Sequence, residues 1–174
     1  MNTLIIYGSQ YGTTKRYAEK LAEISHFPVT SYEDVKTLDD YEQIIYFGAL
    51  YAGGVKGLKK TVSRMSPNTK LIIVTVGLAD VSDKENISNI QNSIRKQVPE
   101  NLLKASSVFH LRGGIDYSKL NFKHKTIMKM LYHSLKNKPI ENLTQEDKAL
   151  IETYNKKVDF VDYDSLNQIV EVIR

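Results

Sequence analysis

Hydrophobic positions along this chain repeat with two periods. Thr3–Gly8 (TLIIYG), residues 43–49 (QIIYFGA) and Lys70–Gly77 (KLIIVTVG) are short, nearly continuous apolar runs rich in β-branched residues, and each closes at or beside a glycine. Such runs predict parallel strands covered on both faces. Weaker runs at residues 28–32 and 107–111 (SVFHL) predict two more. Between them the period lengthens. Tyr17, Leu21 and Ile24 share one helical face with Ala18 and Ala22 beside it, Leu58, Val62 and Met65 begin a shorter helix, and Ile87, Ile90, Ile94 and Val98 mark a third. Asp164 is placed to cap a last helix bearing Leu166, Ile169, Val170 and Ile173.

Strand–helix alternation predicts an α/β fold, a doubly wound five-stranded parallel sheet with helices on both faces. The flavodoxin-like order 2-1-3-4-5 suits five strands, with ligands beyond the strands' carboxyl ends. A single domain spanning residues 1–174 is expected, with a helical insertion after strand five, about residues 113–157, that is too long for an ordinary loop.

The first strand-to-helix turn adds chemistry. Ser9, Gln10, Tyr11, Gly12, Thr13 and Thr14 pack hydroxyls and free amides at a helix N-terminus, which favours an anion such as phosphate. Neither G-x-G-x-x-G nor G-x-x-x-x-G-K-[ST] matches the glycine spacing. A turn capped by Thr13 or Thr14 with no ligand is the alternative.

The run from Tyr7 to Thr14 resembles the phosphate loop of flavodoxins, [ST]-x-T-G-x-T after the first strand. Ser9, Gly12 and Thr14 match it, and Tyr11 replaces the middle threonine. The resemblance implies FMN, its phosphate held by residues 9–14 without a compensating lysine. It also implies ring contacts from two further loops: Ala49, Leu50, Tyr51, Ala52, Gly53 and Gly54, then Val76, Gly77, Leu78 and Ala79. Tyr51 is the stacking candidate in a chain without tryptophan.

Composition narrows the classes. The 174 residues carry no cysteine, which excludes disulfides, thiolate catalysis and cysteine-ligated metals. No His/Asp/Glu group has metal-ligand spacing, so no metal is expected, and no catalytic side chain stands out. His110 lies in an apolar strand and reads as a satisfied core residue, while His124 and His133 read as polar-face residues. The N-terminus lacks the marks of a secretory signal and no run is long enough to span a bilayer, so a cytoplasmic protein is expected. The net charge of +4 suggests an anionic partner, with no nucleic acid expected.

That charge concentrates in the insertion. Leu120, Ile127, Met128, Leu131 and Leu135 fall on one helical face, and Lys119, Lys123, Lys125, Lys129, Lys136 and Lys138 crowd the rest, with no acid between Ser118 and Pro139. A basic amphipathic helix reads as an element docking on an anionic membrane or an acidic partner. The alternative is a helix packed on its own domain with its lysines in water.

"GGIDYSKLNFKHKTIMKML" resembles the insertion of menaquinone-dependent protoporphyrinogen dehydrogenases, through Tyr117, Leu120, Phe122, Lys125, Ile127, Met128 and Lys129. Phe122 stands where that family frequently has tryptophan, and residues 139–160 have no counterpart. The resemblance implies an FMN-dependent oxidoreductase passing electrons from a porphyrinogen or other reductant to a quinone, peripheral on the inner face of the cell membrane. A soluble flavodoxin electron carrier and a non-enzymatic flavin-, lipid- or protein-binding module are the rival readings.

Overall fold

Alternation within each apolar run decides how the sheet is covered. The computed structural model describes residues 1–173. Five parallel strands, β1 (Thr3–Gly8), β2 (Val29–Ser31), β3 (Gln43–Tyr51), β5 (Lys70–Gly77) and β6 (Ser107–Arg112), lie in the order β2-β1-β3-β5-β6, which is 2-1-3-4-5 among the parallel strands. A two-residue strand, β4 (Gly54–Val55), folds back antiparallel on the end of β3.

Successive side chains point to opposite faces of the sheet, so each strand feeds two cores. Leu4, Ile6, Ile44, Tyr46, Leu71 and Ile73 meet one layer of helices, α2 (Leu58–Val62) and α3 (Lys84–Arg95). Ile5, Ile45, Phe47, Ile72 and Val74 meet the other, α1 (Thr13–Ser25) and α7 (Asn167–Ile173). A short α4 (Glu100–Lys104) leads into β6.

The last helix departs from expectation. Asp162, not Asp164, caps a 3-10 turn over Tyr163–Leu166 by accepting the Asp164 N–H, and α7 begins only after it.

The insertion has ends fixed by pairing. Strands β7 (Gly114–Asp116) and β8 (Lys157–Asp159) form an antiparallel ribbon with Gly114 opposite Asp159 and Asp116 opposite Lys157. Between them lie α5 (Phe122–Lys136) and α6 (Gln145–Thr153). Asn121 caps α5, and Thr144 with Asp147 makes a reciprocal capping box on α6. These elements share a small core of Leu78, Ile115, Tyr117 and Met128, with Tyr11, Leu131 and Leu150 packed against it.

The apolar stripe of α5 therefore faces the parent fold. Met128 and Leu135 are buried and Leu131 half-buried, whereas Lys119, Lys123, Lys125 and Lys129 are exposed. The outward arc of α5 carries its own apolar residues, Phe122 at 86% and Met130 at 69% exposure, with Ile140 at 74% just beyond. Among the described residues no helix is long and apolar enough to cross a membrane.

Candidate functional site

The carboxyl ends of β1, β3 and β5 open into a cleft of about 570 Å³. Its floor comes from the three segments singled out in the sequence: Gln10 to Thr14 in part, Ala49 to Gly54, and Val76 to Leu78. Ser9, Gly12 and Ala79 do not line it directly. The side walls differ in chemistry. Asn86, Asn89 and Ser93 on one face of α3, with Ile90 among them and Lys96 just past its end, make a mainly polar wall. Met128, Leu131, Leu135 and Leu150 of the insertion make an apolar one opposite.

The first turn leaves an uncapped helix N-terminus open to solvent. Gly12 caps α1 with φ 98°, a backbone conformation that glycine adopts without steric cost, and no side chain caps the helix. The Ser9 hydroxyl instead accepts the Gly12 N–H at 3.0 Å and tightens the loop. First-turn N–H groups of a helix have no intrahelical partner, and no acid occupies this first turn. A Cβ at Gly12 would meet nothing within 4 Å, so space for a ligand lies open at that position. The alternative of a threonine-capped turn is thereby corrected: Thr13 and Thr14 are the first helical residues, and Thr14 is buried.

Tyr11, which departs from the flavodoxin pattern, is committed elsewhere. Its hydroxyl donates to the Met128 sulfur and its ring meets His124 edge-on, centroids 6.3 Å apart. Burial raises its pKa. Tyr11 thus ties the phosphate loop to α5, and His124 packs inward on it rather than on a free polar face. His110 is bound to Thr75 at 2.7 Å through Nδ1, and burial lowers its pKa.

The second segment differs from a loop. β3 runs on through Tyr51, and Ala52 and Gly53, at φ 50° and 76°, form a tight two-residue turn into β4. Gly54 lies against Gln97, which bonds both the N–H and the carbonyl of Val55. Tyr51 is half-exposed, lines the cleft and is paired with no other ring among the described residues.

Two residues here carry no motif. Lys56 reaches the first turn, its ammonium donating to Gln10 Oε1 at 2.6 Å, so a lysine does stand beside the loop. Glu146 of α6 sends its carboxylate to the third segment, accepting the Leu78 N–H at 2.8 Å and the Ala79 N–H at 3.0 Å. From the other side Arg112 Nε donates to the Leu78 carbonyl at 2.9 Å. Gly77 makes room, since a Cβ there would lie 2.6 Å from Leu50 and 2.8 Å from Glu146. Both contacts join residues far apart in sequence, so only the folded chain reveals them.

A profile described as a flavodoxin domain matches residues 4–141. No curated protein matches the chain significantly. Among solved structures, similarity extends to a flavoprotein in complex with FMN from Lactobacillus acidophilus NCFM, at 14% identity over 64% of this chain and 91% of that one, with a TM-score of 0.43. It extends also to a flavodoxin variant from Pseudomonas aeruginosa, at 16% identity over 77% of this chain and 96% of that one, with a TM-score of 0.39.

Proposed function

The chain belongs to the flavodoxin domain family, and from that premise we propose that it binds FMN in the cleft and acts as an FMN-dependent oxidoreductase resembling the menaquinone-dependent protoporphyrinogen dehydrogenases. Electrons would pass from a reduced small molecule, a porphyrinogen in the favoured version, to a quinone. Bound FMN would supply reversible two-electron chemistry that no side chain of this cysteine-free chain offers.

The residues present fit that cofactor. Uncapped amides of α1, the Ser9 and Thr13 hydroxyls and the open side of Gly12 suit a phosphate. Tyr51 offers a free aromatic face for the ring. Leu50 and Val76 add apolar floor.

One observation carries the enzyme reading over the carrier reading: the insertion walls the cleft with Met128, Leu131, Leu135 and Leu150 opposite the polar face of α3. An electron carrier works through an exposed cofactor edge, whereas an apolar wall beside the proposed ring position suits an apolar substrate.

The outward arc of α5 supports a membrane as the place of reaction. On a helical projection Phe122 and Met130 sit centrally, with Lys125, Lys129 and Lys136 to one side and Lys123 to the other. Apolar residues ringed by lysines suit an anionic bilayer, where each lysine near the surface contributes about 1 kcal/mol. A helix is about 10 Å across, so the cleft wall would stand one helix diameter from lipid and its dissolved quinone.

The test is steady-state turnover of the FMN-loaded protein with a porphyrinogen and a menaquinone analogue. Quinone-dependent oxidation is expected. An FMN-loaded protein that exchanges electrons only with protein partners would return the reading to an electron carrier.

A further inference from the structure

The Leu78 and Ala79 amides follow directly on the end of a central parallel strand, at the edge of the cleft that Leu78 lines, where a ring carbonyl of a bound ligand would seek donors. In the structure both are taken by one carboxylate, that of Glu146. The insertion places it there deliberately. Glu146 lies within the Thr144–Asp147 capping box that starts α6, Gln145 beside it donates to Glu85 of α3 at 2.8 Å, and Gly77 lacks the Cβ that would collide with it. We infer that Glu146 is an internal ligand of the cleft, a latch that holds α6 shut on the Leu78 and Ala79 amides and must be exchanged for the carbonyl edge of an entering flavin. The inference rests on the FMN reading and names a competitor built into the same site.

The charges around the latch set its response to pH. Asp147 follows Glu146 on α6, Arg112 grips the Leu78 carbonyl, Asp80 is tied to Ser82, Glu85 accepts from Gln145, and Lys96 and Lys138 stand at the rim. Burial, reinforced by Asp147, raises the Glu146 pKa against the opposing pull of the two amides and Arg112. A carboxyl with a raised pKa in the shut state favours that state as pH falls and releases it as pH rises through the raised value. Competition with a ligand is therefore strongest in mild acid.

Fluorescence titration with FMN at pH 5.5, 7 and 8 tests this on the whole chain, comparing wild type, Glu146→Ala and the isosteric, non-titrating Glu146→Gln. The phosphate's own titration cancels in ratios between variants. Glu146→Ala should bind FMN about tenfold tighter than wild type at pH 5.5, with the advantage narrowing toward pH 8. The ratio between the two variants should stay constant with pH. A Glu146→Ala protein that binds FMN equally or more weakly at every pH overturns the latch and makes Glu146 a supporting acceptor for the ring. Failure of wild type and both variants to bind FMN at all overturns the parent reading, and the latch with it.

Discussion

Gly12 and Ala52 both adopt left-handed backbone, with opposite consequences. At Gly12 the conformation leaves open space at the helix N-terminus, where an added methyl would intrude on the proposed phosphate. Gly12→Ala should lower stability by about 1–2 kcal/mol from backbone strain and weaken FMN while leaving riboflavin, which lacks the phosphate, nearly unaffected. Equal loss for both ligands in a fluorescence titration would remove the phosphate from this turn. Ala52 at φ 50° carries left-handed strain of about 1–2 kcal/mol, which outweighs glycine's entropic cost of about 0.5–1 kcal/mol. Ala52→Gly should therefore stabilise the protein by about 0.5–1 kcal/mol, read from a denaturant midpoint. Tyr117 is a third case. Its hydroxyl is buried without a hydrogen-bond partner among the described residues, and burial pushes its pKa up to about 12. An unsatisfied hydroxyl contributes nothing to offset its lost hydration, so Tyr117→Phe should be neutral or stabilising by about 1 kcal/mol. A clear loss of stability would show that the hydroxyl is bonded in solution.

At the scale of elements, α5 has two apolar faces of different use. Periodicity in the sequence identified the stripe of Leu131, Met128 and Leu135 but not what covers it. The partner depends on closure of β7 on β8, a pairing across forty residues that local pattern does not encode. The stripe walls the cleft, and the exposed face, proposed to meet a bilayer, is the one centred on Phe122 and Met130. Changing Lys123, Lys125 and Lys129 to Glu should abolish co-sedimentation with anionic vesicles and leave FMN affinity intact. Phe122→Ala should weaken vesicle binding without changing its salt dependence. Wild-type binding to neutral vesicles as strong as to anionic ones would refute the electrostatic docking.

Across the whole molecule, the three central parallel strands were legible because the runs in β1, β3 and β5 are apolar on both faces and close at or beside a glycine, while β2 and β6 left only weak runs. The cleft-lining segments were legible where topology dictates them, at the carboxyl ends of β1, β3 and β5. What escaped were contacts made by chain folding back from afar: Lys56 on Gln10, Tyr11 on Met128, and Glu146 on the third segment. Tyr51 illustrates the middle ground. Its sequence position marked it as a ring partner, and the fold leaves it lining the cleft without another aromatic neighbour. Tyr51→Ala should restore part of the FMN fluorescence quenched on binding, and full retention of quenching would assign the stacking elsewhere. The central claim is that the cleft holds FMN by its phosphate. Titration of the purified chain with FMN, riboflavin and FAD tests it most directly. The account predicts saturable one-to-one FMN binding, with riboflavin at least tenfold weaker and FAD weaker than FMN, because the turn lacks a dinucleotide fingerprint. Equal affinity for FMN and riboflavin, or no flavin binding at all, would contradict it.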